Sequence, residues 1–135
     1  PGAELVRLAH KNNIRIIPLV GPSSILLALM ASGLNGQQFA FNGYLPIESN
    51  ARISKIIELE KLSISRNQTQ IFIEAPYRNQ KLLEQLIKAC SDSTNLCIAS
   101  HLTFSNEMVA TRTVKEWNRS LPDINKIPTI FLLHG

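Results

Sequence analysis

Stretches with the apolar spacing of helices alternate with short β-branched runs along almost the whole sequence, and this alternation constrains the fold most. The strand-like runs cover residues 14–20, 39–45, 68–75, 96–102, 108–114 and 128–133. The helical stretches cover residues 3–11, 25–30, 50–62 and 76–90, with a short helix or turn around Trp117. Helices that alternate with strands pack on the faces of a sheet. The sequence therefore predicts an α/β fold.

Connection length and helix composition refine this prediction. The last connections between strands are short, as antiparallel neighbours allow, so the sheet should be mixed in direction and flanked by helices. The stretch 25–30 is apolar on nearly every side, which predicts a buried helix. Ser49 precedes the next helix and is a residue type that caps helices.

Composition limits the class of protein. With 135 residues, 44% hydrophobic and 18% charged, the chain can build a core of its own, which argues against disorder and fibres. The apolar runs Ile25–Ala31 and Ile127–Leu133 are far shorter than the roughly 20 residues that cross a bilayer, so no membrane role is expected. The spacing of Cys90 and Cys97 fits neither a disulfide framework nor a zinc site. We expect buried, reduced thiols, no metal and a cytoplasmic protein.

The charge of the chain is compatible with a nucleic-acid partner. A net charge of +4 and a pI near 9.4 favour binding to a polyanion, since Lys and Arg displace counterions from phosphates. The basic residues are dispersed along the chain, however, as they also are on an ordinary solvated surface. Charge alone therefore does not identify the partner.

Two strings stand where a strand is predicted to meet a helix. In Gly21-Pro22-Ser23-Ser24 the small residues leave helix N-terminal amides accessible to a ligand. In Glu74-Ala75-Pro76-Tyr77-Arg78 the carboxylate follows a strand end, where ligands of α/β proteins usually bind. Arg78 lies one helical turn beyond Glu74, so it could meet a phosphate or pair with that carboxylate.

Together with other strings, in the same order, these resemble the tetrapyrrole methylase superfamily, and within it the branch that methylates a cytidine ribose of small-subunit ribosomal RNA. The resemblance covers nearly all 135 residues. The matching strings are Pro1-Gly2-Ala3 with Leu5-Val6 and Ala9, the run 14–19, Gly21-Pro22-Ser23-Ser24, Ala31-Ser32-Gly33-Leu34, Phe39, Gly43-Tyr44-Leu45-Pro46, Arg52 and Glu74-Ala75-Pro76-Tyr77-Arg78.

The resemblance implies a methyltransferase of two domains that bind S-adenosyl-L-methionine between them. Residues 1–20 would be the last helix and strand of the N-terminal domain, and residues 21–135 the C-terminal α/β domain. Its implied substrate is ribosomal RNA, and the full-length protein would be a homodimer. The implied cofactor-binding residues are Pro22, Ser23, Ser24, Glu74, Ala75 and Thr113, and the implied substrate-binding residues are Arg78 and Arg52.

Departures from the family pattern keep other functions open. An Arg-Glu-Leu-Thr-Lys stretch of the family appears as Ser100-His101-Leu102-Thr103-Phe104, Arg112 stands at a family glycine, and Ile47 and Glu48 replace basic residues. One alternative is methylation of a tetrapyrrole or another small molecule. Another is a paralogue without catalytic activity that binds RNA or protein. No residue is an evident catalytic base: Glu74 is one candidate, but the role of a structural partner of Arg78 is favoured for it.

Overall fold

The computed structural model describes residues 2–135. Its helices are α1 (Gly2–Lys11), α2 (Ser24–Ser32), α3 (Ser49–Arg66), α4 (Asn79–Ala89) and α5 (Val114–Arg119), with a 3-10 turn at Pro76–Arg78 before α4. Its strands are β1 (Phe39–Tyr44), β2 (Thr69–Ile73), β3 (Asn95–Ser100), β4 (Met108–Thr113) and β5 (Thr129–His134). The predicted alternation of helices and strands is confirmed from α2 onward.

The strands form one five-stranded sheet in the order β1-β2-β5-β3-β4. Strands β1 and β2 are parallel, whereas β5 is antiparallel to both β2 and β3, and β4 is antiparallel to β3. The predicted mixed sheet is thus confirmed. The carboxyl ends of β1, β2 and β3 share one edge, which we call the carboxyl edge, with the first residues of β4 and β5.

The two faces of the sheet are covered unequally. Helices α3, α4 and α5 pack on one face, where Phe72 and Phe131 stack with ring centroids 5.9 Å apart. The other face is covered by α2, through Ala28 and Leu29. The apolar core therefore lies mainly on the side of α3 and α4.

Helix α2 differs from its prediction. An apolar helix was expected to be buried all round, but Leu26 is 49% and Met30 is 74% exposed. The helix lies on the sheet with one side only, and no other element within residues 2–135 covers its outer side. The prediction of complete burial is wrong because composition does not show how many sides of a helix have neighbours.

The predicted strand at residues 14–20 is also wrong. The segment carries no regular secondary structure, and every residue in it is exposed. A strand needs hydrogen bonds from a neighbour, and none of the five strands described pairs with this segment. Helix α1, which precedes it, forms as predicted but buries none of its residues.

The cap of α3 is Glu48 rather than Ser49. Both carboxylate oxygens of Glu48 are used, since they accept hydrogen bonds from the amides of Asn50 and Ala51 at 3.0 and 2.7 Å. These bonds lower the pKa of Glu48. The Ser49 hydroxyl instead accepts a bond from Gln85 on α4, at 2.9 Å, and so ties the two helices together.

Both cysteines are free and buried, as expected. Burial raises the pKa of Cys90 to about 12, with a smaller contribution from the negative charge of Glu60. Burial likewise raises the pKa of Cys97. Thiols in this state are poor nucleophiles. Among the helices of residues 2–135, none is both long and apolar enough to cross a membrane.

Candidate cofactor and substrate site

The carboxyl edge brings together most of the predicted site residues. Register places Ile73 at the end of β2 opposite Ile130, and Ser100 at the end of β3 opposite Thr129. Glu74 follows the first pair and His101 the second. Ligands of α/β proteins bind at such strand ends, and this edge is therefore the candidate site.

Glu74 is the centre of a buried network of charges. Its Oε1 accepts hydrogen bonds from the Ala75 amide at 2.7 Å and from Arg78 Nη2 at 2.8 Å. Its Oε2 lies 3.3 Å from Arg52 Nη2, in a contact whose angles do not make a hydrogen bond. The side chains of Glu74 and Arg52 are each 1% exposed, and that of Arg78 is 24% exposed. Of the two alternatives for Arg78, pairing with Glu74 is the one that the structure shows.

The network makes Glu74 a weak proton acceptor. Burial raises the pKa of Glu74, but the hydrogen bonds from Arg78 and the Ala75 amide, with the charges of both arginines, outweigh burial and lower it. A carboxylate held in this way stays ionised and takes up a proton only in acid. The geometry therefore favours the structural role of Glu74 over a role as base.

Arg52 is fixed inside the protein. Its guanidinium donates to the carbonyls of Pro46 and Ile47, at 2.7 and 3.1 Å, and to Gln85 Oε1 at 3.1 Å. These bonds tie the end of β1 to α3 and α4. The side chain has almost no surface left for a substrate, whereas Arg78 keeps part of its surface.

A pocket of about 130 Å³ opens on the α2 face of the carboxyl edge. It is lined by Ser24, Ala99, His101, Leu102, Phe104, Pro128, Thr129 and Ile130. A shallower groove of about 330 Å³ follows α2 from this point and shares Leu102 with the pocket. Ser24 thus meets residues from the ends of β3 and β5, as a member of a binding site would.

The N-terminus of α2 leaves donors available beside this pocket. Ser23 is the N-cap residue, but its side chain makes no capping hydrogen bond to the helix. Pro22 is exposed and Ser23 is half-buried. The first amides of the helix lack partners inside it, so they can donate hydrogen bonds to a ligand.

The Glu74 side chain and the pocket lie on opposite faces of the sheet. Ile73 packs with the α2 cluster, so the next side chain, Glu74, points toward α3 and Arg52. The Ala75 amide bonds to Glu74, and its carbonyl accepts from the Arg78 amide at 2.8 Å. Ala75 is not among the residues that line the pocket, and its backbone polar groups already have partners.

Thr113 lies apart from the other predicted site residues. It pairs with Asn95 at the opposite edge of the sheet, and its hydroxyl and amide form a capping box with Glu116 of α5. The guanidinium of Arg112 lies over the Trp117 ring, 4.7 Å from its centroid. Arg112 therefore does not crowd the pocket at the carboxyl edge.

His101 is a pocket residue that the sequence did not single out. Its backbone has φ 50, and that of Thr103 has φ 72, a left-handed conformation uncommon for residues other than glycine. The Thr103 amide donates to Glu107 Oε2 at 2.6 Å, which stabilises this loop. Such outliers gather at functional sites. The sequence offered two signals, the position of His101 just after a strand end and its place in the stretch 100–104 that departs from the family pattern.

A larger groove lies elsewhere. It measures about 460 Å³ and is lined by Leu26, Leu29, Met30, Gly33, Leu34, Gly36 and Phe39. It opens near the start of β1, at the edge opposite Glu74, and its lining includes no charged side chain. We place the site at the carboxyl edge because polar groups converge there.

Comparison with known proteins agrees with the fold. The structure resembles that of the methyltransferase CobJ, with a TM-score of 0.58 and 14% identity over 97% of this chain and 55% of that one. The chain is 31% identical to ribosomal RNA small subunit methyltransferase I of Vibrio cholerae and 32% identical to that of Escherichia coli O157:H7. Each match covers 100% of this chain. No family model matches it.

The fold therefore has the architecture seen in the methyltransferase CobJ, and its pocket lies at the ends of the strands. In sequence, the chain is a relative of ribosomal RNA small subunit methyltransferase I, which confirms the resemblance identified from its motifs. It spans about half the length of these relatives, 46% of the first and 47% of the second.

Proposed function

We propose that this protein transfers a methyl group from S-adenosyl-L-methionine to a ribose 2′-hydroxyl of ribosomal RNA. The observation that carries the proposal is that two methylase-like strings, Gly21-Pro22-Ser23-Ser24 and Glu74-Ala75-Pro76-Tyr77-Arg78, both lie at the carboxyl edge, with Ser24 in the pocket lining. The sequence relationship to the ribosomal RNA enzymes supports RNA as the substrate. We further propose residues 1–20 as part of a cofactor-binding domain and the full-length protein as a cytoplasmic homodimer.

The pocket fits part of the cofactor. Its volume of about 130 Å³ is below the roughly 300 Å³ at which ligand sites begin, so residues 2–135 would supply one wall of a larger cleft. Ser23 and Ser24 have hydroxyls, and α2 has free amides, for the polar groups of the cofactor. Pro22 and Ala75 lie outside the pocket lining and would contact the cofactor where it extends beyond the pocket. The position of Thr113 offers the cofactor no contact within this pocket.

The chemistry divides between cofactor and protein. When bound, S-adenosylmethionine supplies a methyl group made electrophilic by its sulfonium. Residues of the protein then hold the acceptor oxygen in line with that group, and such alignment provides much of the rate. The hydroxyl loses its proton as its oxygen gains the methyl group, so a proton acceptor assists. We propose His101 for this role because it is the residue with an imidazole among those that line the pocket.

The test is calorimetric titration of the full-length protein with S-adenosylmethionine and S-adenosylhomocysteine. We expect roughly micromolar binding, weakened at least about tenfold by Ser24→Leu, which fills the pocket. Ser54→Leu, at an exposed position on α3, is the matched control and should bind like the parent. Absence of binding in the parent would contradict a methyltransferase and favour the non-catalytic paralogue.

The substrate is tested by transfer of a labelled methyl group. We expect label in small-subunit ribosomal RNA, on a ribose 2′-oxygen. The phosphodiester next to that oxygen should then resist alkaline cleavage. Label in a tetrapyrrole, with none in RNA, would instead establish a small-molecule methyltransferase. His101→Gln should lower the rate of transfer and leave the affinity for S-adenosylhomocysteine nearly unchanged.

A further inference from the structure

Tyr77 presents an exposed aromatic ring at the carboxyl edge. The residue lies in the 3-10 turn that follows β2, and it is 64% exposed. The Arg78 guanidinium lies against the ring, 4.8 Å from its centroid, and its Nη1 donates to the Tyr77 hydroxyl at 2.5 Å. One part of the ring is thus covered by a cation while most of its surface remains free.

The ring is held in place from the protein interior. Arg52 contacts Glu74, Glu74 accepts from Arg78, and Arg78 contacts Tyr77, so a chain of charged contacts leads from a buried residue to an exposed one. An exposed aromatic ring ordinarily samples several rotamers. Holding it in advance reduces the entropy lost when a ligand covers it.

The charges beneath the ring favour an anionic ligand. One carboxylate, Glu74, faces two guanidinium groups, Arg52 and Arg78, so the network carries one positive charge in excess. Tyr44, which is 66% exposed, ends the neighbouring strand β1 opposite Ile73 and adds a second aromatic ring nearby. Aromatic rings beside positive charge are the means by which proteins bind single-stranded nucleic acid.

We propose that Tyr77, held by Arg78, stacks on an unpaired base of the RNA substrate. This inference rests on the proposed function, because it takes RNA to be the substrate. A flat base joined to a phosphate matches a flat ring with a cation beside it. A base within a duplex has both faces covered, so the site selects nucleotides that are unpaired or turned out of a helix.

The test measures binding of a 10-nucleotide single-stranded RNA with 2-aminopurine at its centre to the full-length protein. Tyr77→Leu removes the ring and no charge, so we expect affinity to fall about 5- to 100-fold. The slope of affinity against salt concentration should stay unchanged, because no phosphate contact is lost. Quenching of the 2-aminopurine by stacking should disappear. Tyr77→Trp should keep both affinity and quenching.

Phe39→Leu is the matched control, since it removes an exposed ring at the opposite edge of the sheet. The proposal is overturned if the parent does not bind RNA, or if Tyr77→Leu binds as tightly as Phe39→Leu. Titration of the same variants with S-adenosylhomocysteine separates the two proposals. Cofactor binding with RNA affinity insensitive to Tyr77 refutes the stacking site alone. RNA affinity sensitive to Tyr77, without cofactor binding, refutes methyl transfer alone.

Discussion

Two apolar segments of similar composition differ in this molecule, since one is exposed without regular structure and the other is a buried strand. Residues 14–20 read Ile-Arg-Ile-Ile-Pro-Leu-Val and are fully exposed, whereas β5 reads Thr-Ile-Phe-Leu-Leu-His and buries five of its six residues. Strand β5 has a neighbour on each side, β2 and β3. Partners rather than β propensity thus decide which run becomes a strand. Pro18 adds to the difference, because proline cannot donate a ladder hydrogen bond.

The largest expected contrast between the two segments is in amide hydrogen exchange. Amides of residues 14–20 should exchange at nearly unprotected rates when this chain is studied as an isolated monomer. Amides of β5 should be protected up to the free energy of global unfolding, about 5–15 kcal/mol for an ordinary domain. Protection of residues 14–20 in the isolated monomer would contradict the comparison. Protection that appears only in the full-length protein would support their place in another domain.

Side-chain truncation tests the same contrast through stability. Phe131→Ala empties space in the core, where the ring is 0% exposed and stacks on Phe72, so we expect a loss of about 3–5 kcal/mol. Leu19→Ala, at a position 90% exposed, should change stability by less than about 0.5 kcal/mol. Urea denaturation measures both. A large effect of Leu19→Ala would show that residues 14–20 pack on the domain.

A smaller effect is expected at the carboxyl edge. Glu74→Gln removes the charge that Arg52 and Arg78 face, and breaking a buried ion pair is costly. Arg52 keeps its three hydrogen bonds and Arg78 is partly solvated, so we expect a loss of about 2–3 kcal/mol at pH 7. Glu58→Gln breaks the exposed pair with Lys55 and serves as the control, with a loss below about 1 kcal/mol.

The loss of stability caused by Glu74→Gln should depend on pH in a defined direction. The folded pKa of Glu74 is lower than its value in the unfolded chain, which is about 4.3 for a glutamate. Its contribution is therefore complete above about pH 4.3 and is lost as the pH falls through the folded pKa. The stability difference between parent and Glu74→Gln should narrow in that acidic window. A constant difference down to pH 2 would show that Glu74 is not stabilised as a carboxylate.

Local patterns in the sequence predicted the elements that local spacing determines. The helices and the strands β1 to β5 were evident from apolar periodicity, and the four-residue spacing of Glu74 and Arg78 allowed their pairing. The cap of α3 was misassigned because a serine was preferred on residue type, whereas the carboxylate of Glu48 reaches two amides at once.

Features that depend on strand direction and backbone conformation could not be predicted from the sequence. Thr113 was grouped with Glu74, but β4 runs antiparallel to β3 and carries it to the far edge. Arg52 was expected at a substrate, but α3 and α4 enclose it. The left-handed backbone of His101, a pocket residue, could not be predicted from its residue type.

The central place of β5 also bears on how the protein folds during translation. This strand separates β1-β2 from β3-β4, yet it is the last of the five to leave the ribosome. Until residues 129–134 emerge, the sheet consists of two separate strand pairs. Each pair has an open apolar edge that can form hydrogen bonds with the wrong strand. The five-stranded sheet can therefore form only after β5 has been synthesised. We expect nascent chains stalled before Thr129 to depend on chaperones, and those stalled well beyond it to do so far less.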